Sequence, residues 1–251
     1  LRISNRSVIE TVHALEQEKQ DYREYIESWI HEVKAPLTAV NLMCARKISE
    51  GGEEAAFFRK MLRETESMEQ AVEQALYYAR SDEVYQDFLI TPCCLNDIVS
   101  EAVTRNRRLL TACHIMLQFD LPENCRIYCD GIWLVFILSQ LIRNSAQYRR
   151  EARGKITISA KEEEKRVILS VLDDGAGIPE NELGRIFEKG FTGTNGRNRK
   201  KSTGMGLYLC RKLCRKLGLS IYAQSREGEF TQITLEIPRE ESLQICKAEE
   251  S

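Results

Sequence analysis

Apolar residues recur with helical spacing through the first eighty positions. Ile26, Ile30, Val33, Leu37, Val40 and Cys44 follow one another at intervals of 4, 3, 4, 3 and 4, which places them on one seam of a helix. Val8 to Arg23 is rich in Glu, Gln and Lys and reads as a helical lead-in to the same rod. Gly51-Gly52 interrupts the pattern as a hairpin connection would. Phe58, Leu62, Thr65, Met68, Val72, Leu76 and Ala79 then mark one face of a second helix. Two helices with one apolar stripe each bury those stripes poorly alone, so the spacing predicts a helical hairpin that pairs into a dimeric four-helix bundle.

After a polar connector from Ser81 to Asp87 the pattern changes. Short β-like runs are expected at 88–90, 115–119, 156–160, 167–172, 219–223 and 231–237, with helices at 95–110, 131–149 and 206–217. The run 155–172 reads as a hairpin turning at Glu162-Glu163-Glu164-Lys165. Strands interleaved with helices predict an α/β sandwich with helices on one face of a sheet, so the whole chain reads as α+β multidomain. The expected limits are 1–80 for the hairpin, 81–91 for a linker, 92–240 for the sandwich and 241–251 for a polar tail.

Composition narrows the class. The 251 residues carry 36 Lys plus Arg against 38 Asp plus Glu, for a net charge of −2. That balance excludes a broadly basic nucleic-acid binder. The nine cysteines are scattered, with none of the paired C-x-x-C spacing of structural zinc sites, and read as reduced thiols that mostly fill core positions. The longest apolar run, 132–138, is far too short to span a membrane. A chain that opens at Leu1 within a polar helical pattern is expected to be a piece of a longer protein.

Four segments carry chemistry. His31-Glu32-Val33-Lys34-Ala35-Pro36-Leu37 puts His31 on the outward face of the first helix, with Pro36 expected to bend it. Glu32 is placed to take the Nδ1 proton and leave Nε2 free to attack, although an outward histidine alone is more often plain surface. Asn144-Ser145-Ala146-Gln147-Tyr148 ends an apolar helix with an amide oxygen suited to Mg²⁺ and a ring able to stack on a base, or simply with a capping Asn. Asp173-Asp174-Gly175-Ala176-Gly177-Ile178-Pro179 follows a hydrophobic strand, where a carboxylate accepts an exocyclic amine and glycines admit a ligand closely, or where an acidic turn stands. Gly190 to Leu207 is a basic, glycine-rich segment with Arg197, Arg199, Lys200 and Lys201, closing in Ser202-Thr203-Gly204-Met205-Gly206-Leu207 before a helix whose amides suit phosphate.

In this order the segments resemble the signature of the bacterial sensor histidine kinases over nearly the whole chain. His31 to Leu37 resembles the H box, Asn144 the N box, Asp173, Gly175 and Gly177 the G1 box, Phe187 and Phe191 the F box, and Gly204 and Gly206 the G2 box. The run 187–209 is similar to the bacitracin-sensor type of Gram-positive bacteria, kinases that work beside peptide-antibiotic exporters. The resemblance implies a Bergerat-type pocket with ATP on Asp173, against Tyr148 and Ile178 and under Phe191, Arg197, Thr203 and Leu207, and Mg²⁺ held by Asn144 and Gln140. It implies attack by His31 with Glu32 as base, a homodimer through the hairpin, and transfer to an aspartate of a response regulator. It also implies a membrane-anchored parent of which this is the cytoplasmic portion, with a membrane transporter as a further partner. Ala35 stands where the family often has Thr or Asn for dephosphorylating the partner. Gln140 and Gln147 stand where the N box has Asn and Lys, and Ser202 where the G2 box often has Gly. Another ATPase on the same fold, or a nucleotide-binding scaffold without transfer, are the alternatives.

Overall fold

The computed structural model describes residues 2–80, 88–150, 153–197 and 203–239. The chain divides into two compact units, 1–84 and 85–251. The connector residues 81–87, the basic residues Arg199, Lys200 and Lys201, and the tail after Arg239 lie outside the described residues, so those readings are not met by any described structure.

The first unit is a hairpin of α1 (Arg2–Glu50) and α2 (Ala55–Arg80). Helix α1 runs through Pro36 to Glu50. Ile30 and Cys44 of the expected seam are fully covered, and Val33, Leu37 and Val40 between them are half-buried. Gly51 and Gly52 take φ of +75° and +98°, the left-handed region open to glycine, and turn the chain back. On α2, Ala55, Leu76 and Tyr77 are buried. Met68, expected on the inner face, is 54% exposed, because the α2 stripe meets only one other helix here. A polar layer crosses the hairpin, where Thr65 Oγ1 donates to Asn41 Oδ1.

The second unit is a five-stranded sheet covered by helices. It opens with β1 (Thr91–Cys94), α3 (Leu95–Arg105), α4 (Arg107–Ala112), β2 (Ile115–Asp120), β3 (Arg126–Cys129) and α5 (Gly131–Gln147). The strands β4 (Gly154–Glu162) and β5 (Arg166–Asp173) follow, then α6 (Glu180–Leu183), α7 (Gly193–Arg197), α8 (Gly206–Lys216), β6 (Ser220–Arg226) and β7 (Phe230–Pro238). Strand order is β2-β4-β5-β7-β6, with β2 parallel to β4 and all other pairs antiparallel. Ile156, Ile158, Val167, Leu169, Val171, Leu235 and Ile237 point inward and are buried against the helices, while Met116 and Tyr222 on β2 and β6 stand exposed.

Helix α5 is the spine of this unit. The Asp130 carboxylate caps it by accepting from the amides of Ile132 and Trp133 at 3.1 and 3.4 Å. Its residues from Trp133 to Ile142 are all buried, the polar Ser139 and Gln140 among them, so this stretch is enclosed on every side.

Two expectations are corrected, and one element appears that the sequence pattern does not mark. Residues 88–90 form no strand: Ile90 N bonds Phe88 O at 2.9 Å, and the Phe88 ring packs edge-on to Trp133, so this apolar run is used for packing rather than pairing. The single helix expected over 95–110 breaks at Asn106. The side chain of Asn106 bonds Ala102 O at 2.7 Å and accepts Arg143 Nε at 2.9 Å, a tertiary demand that local pattern does not carry. Finally, β1 and β3 form a separate two-stranded ribbon centred on Cys93, Cys94 and Cys129. Six of the described cysteines are buried, whereas Cys93 and Cys94 are only half-buried.

Candidate functional site

The C-terminal half of α5 and the C-terminal end of β5 converge on one cavity, about 720 Å³ including its open mouth, within the range of small-molecule sites. Asn144, Ser145 and Tyr148 reach it from α5, Asp173 from β5, and Gly177, Ile178 and Pro179 from the loop that follows. Phe191, Asn195 and Leu207 face it from the stretch before and at the start of α8. Leu141, Ile186 and Ile233 complete an apolar wall.

Asp173 is the focal charge. It ends a buried strand, is 7% exposed, and accepts the Ser145 hydroxyl on Oδ2 at 2.7 Å and the Gly175 amide on Oδ1 at 3.0 Å. Burial raises its pKa above the usual carboxylate value, and the Ser145 and Gly175 hydrogen bonds oppose that rise. A carboxylate has about four acceptor positions, so the Ser145 hydroxyl and the Gly175 and Thr231 backbone amides leave it one for a ligand amine.

The loop after Asp173 is wedged between two elements. Ala176 N donates to Tyr148 O at 2.9 Å, and a Cβ on Gly175 would stand 2.8 Å from that same carbonyl and 2.5 Å from Asp173 Oδ1. On the other side, Gly177 has φ of +66° and a Cβ there would run into the Arg226 carbonyl. Ile178 N donates to Ser225 Oγ at 2.8 Å, and Arg150 joins Asp174 O to Gly228 O. These two glycines are therefore required by close backbone packing, which fixes the cavity wall.

The other expected residues separate into groups. Gln140 is buried one turn before Asn144 and does not line the cavity. The buried Phe187 lies 5.6 Å from the Arg211 guanidinium and is absent from the lining, whereas Phe191 lines it with Arg185 stacked at 4.6 Å. Gly204, at φ +64°, lies so close to Gly190 and Phe191 that no Cβ fits, and its carbonyl accepts Gly190 N at 3.1 Å. Thr203 Oγ1 accepts Met205 N at 3.4 Å, and Gly206 is the first residue of α8. Thr203, Gly204 and Gly206 thus shape the base of the segment without lining the cavity. The Arg197 side chain and Ser202 lie outside the described residues.

In the other unit, His31 and Glu32 are both exposed beside the covered Ile30, as the seam predicts. Asn144 is not a capping residue: α5 closes at Tyr148, whose amide bonds the Asn144 carbonyl at 2.9 Å, leaving the Asn144 side chain on the cavity.

No motif or spacing in the sequence marks Glu182. From the single turn α6 its carboxylate lines the cavity and accepts Thr194 N at 3.0 and 3.2 Å and Thr194 Oγ1 at 2.6 Å. Asn195 Nδ2 donates to Gly177 O at 3.0 Å. Ser145, likewise given no role by pattern, orients Asp173. Among the described residues no group of acidic, His or Cys side chains is arranged to hold a metal, and no helix is long and apolar enough to cross a membrane.

Residues 129–241 match the family described as histidine kinase-, DNA gyrase B-, and HSP90-like ATPase. The chain is 33% identical over 227 residues to the sensor protein BceS of Bacillus subtilis, covering 90% of this chain and 64% of the relative. It is 29% identical over 209 residues to the sensor histidine kinase YxdK of the same organism, covering 83% of this chain and 62% of the relative. The catalytic domain of histidine kinase ThkA superposes with a TM-score of 0.53 at 28% identity, covering 60% of this chain and 95% of that one. The chain therefore spans somewhat under two thirds of the length of these curated relatives.

Proposed function

We propose that this chain, whose residues 129–241 are an ATPase domain of the histidine kinase-, DNA gyrase B- and HSP90-like family, is the autokinase portion of a two-component sensor. The observation that carries the reading is the buried Asp173 carboxylate, oriented by Ser145 at the end of an apolar-walled cavity. The fit to ATP is good on this geometry. An adenine amine finds an acceptor in Asp173, its ring an apolar slot beside Ile178, Phe191 and Leu207, and Tyr148 a place at the rim. Asn144 offers an amide oxygen suited to Mg²⁺, whereas Gln140 lies behind it, so Asn144 alone of that pair fits as a ligand. Bound there, Mg²⁺ would offset phosphate charge.

His31 supplies the acceptor. Its Nε2 lone pair attacks the γ-phosphorus, the N–P bond forms as the bond to the β-phosphate oxygen breaks, and ADP leaves. Glu32 takes up the imidazole Nδ1 proton. Such transfer is mainly positioning and charge neutralisation, which is what a preformed cavity provides. The phosphoryl group then passes to an aspartate of a response regulator. The hairpin dimerises, the parent is membrane-anchored with these residues on its cytoplasmic side, its stimulus is a membrane or antibiotic signal, and its further partner is a transporter, as the likeness to BceS supports. Ala35 favours kinase over phosphatase output.

Calorimetry with ATP and Mg²⁺ tests the reading. Wild-type protein is expected to bind, Asp173→Asn to bind at least about tenfold more weakly, and His31→Gln to bind as wild type yet form no phosphoprotein. Equal ATP binding by Asp173→Asn would overturn the assignment of the pocket.

A further inference from the structure

We propose that Glu182 is an anionic latch on the nucleotide cavity: it ties down the Gly193–Asn195 segment, and the phosphates of an entering nucleotide must displace it. The proposal rests on the nucleotide reading of the cavity. Glu182 and Asp173 are the two carboxylates of the lining, and their situations differ. Asp173 is committed to neutral donors at the cavity's inner end, where a base amine is welcome. Glu182 instead accepts from the wall formed by the segment after Phe191, which continues in sequence into the basic run Arg197, Arg199, Lys200 and Lys201.

The contact is three-pointed. Thr194 N is shared between Oε1 and Oε2 at 3.0 and 3.2 Å, and Thr194 Oγ1 donates to Oε1 at 2.6 Å, a short, charge-assisted bond. Gly193 makes the approach possible: at φ +56° it bears no Cβ, and one added there would stand 2.7 Å from Glu182 Oε2. In this conformation the carboxylate occupies the donors that Thr194 presents. A polyphosphate entering the cavity meets a like charge and finds those donors taken. It gains them only when Glu182 withdraws. A second tie, Asn195 Nδ2 to Gly177 O at 3.0 Å, is neutral and does not depend on the ligand's charge. The segment thus has one tether that anions compete with and one that they do not.

Removing the charge should therefore favour nucleotides in proportion to their phosphates. Binding of ATP, ADP and adenosine to the full chain is measured by calorimetry for wild type, Glu182→Gln and Glu182→Ala, with unfolding midpoints confirming that each variant folds. Glu182→Gln is expected to bind ATP about tenfold tighter, ADP less so and adenosine unchanged, about the size of one charged hydrogen bond. The gain should shrink at high salt, where exposed charges are screened. Unchanged or weaker ATP binding in both variants, or an equal gain for adenosine, would overturn the latch while leaving the nucleotide reading intact. If wild type binds neither ATP nor adenosine, that reading falls and the latch with it.

Discussion

Asp173 combines a cost to the fold with a use in binding. Because burial raises its pKa, the native state holds a proton that the unfolded chain has already released just above the ordinary carboxylate range. Stability from this group is therefore fullest at low pH and is lost as pH rises through the raised native value. Asp173→Asn removes that dependence, so at neutral pH the variant should melt no lower than wild type. Its ATP affinity should fall about tenfold to a hundredfold, the range of a lost charge-assisted hydrogen bond. Urea unfolding at several pH values, with ATP titration alongside, checks both. A variant that lost stability at neutral pH would show Asp173 to be structural. His31→Gln marks the contrasting case, an exposed residue whose loss should leave melting and ATP affinity unchanged.

Elements were legible where one physical pattern dominated. The heptad seam, Gly51-Gly52 and the apolar run of α5 each have a single structural solution, and Asp173 follows from its place at the end of a hydrophobic strand. The ribbon of β1 and β3 was hidden, since β1 holds Pro92 and two adjacent cysteines and β3, though alternating, is only four residues long. Glu182 was hidden for a related reason: its partner Thr194 lies twelve residues on, across a loop, and no spacing rule links them. The β6–β7 hairpin also has a role that pattern does not disclose, because Ser225 and the Arg226 carbonyl hold the loop after Asp173 from outside. Gly177→Ala should therefore strain both φ and packing, destabilising the fold by about 1–2 kcal/mol or more and weakening ATP binding, as denaturant unfolding and calorimetry would report. An unaltered unfolding midpoint would show that this wall yields easily.

At the scale of the whole molecule, the two units divide the work. Unit 1–84 presents the histidine on a hairpin whose outer residues Leu42, Met43 and Phe57 are each more than 60% exposed. Residues of that kind on paired amphipathic helices fit a second copy of the hairpin, which would bury them in a four-helix bundle. Light scattering should find a dimer, and Leu42→Glu should shift it toward monomer at low concentration without abolishing ATP binding. A monomer at every concentration would contradict the bundle. Unit 85–251 supplies the cavity, and nothing in its geometry requires the histidine to bind ATP.

The proposed function requires one chain to hold ATP at Asp173 and to accept its γ-phosphoryl group on His31. Incubation with γ-labelled ATP and Mg²⁺, followed by acid and alkali treatment, tests it most directly. Protein-bound label should appear that survives alkali, is lost in acid and is missing from His31→Gln. Hydrolysis of ATP with no label on the wild-type protein would contradict it.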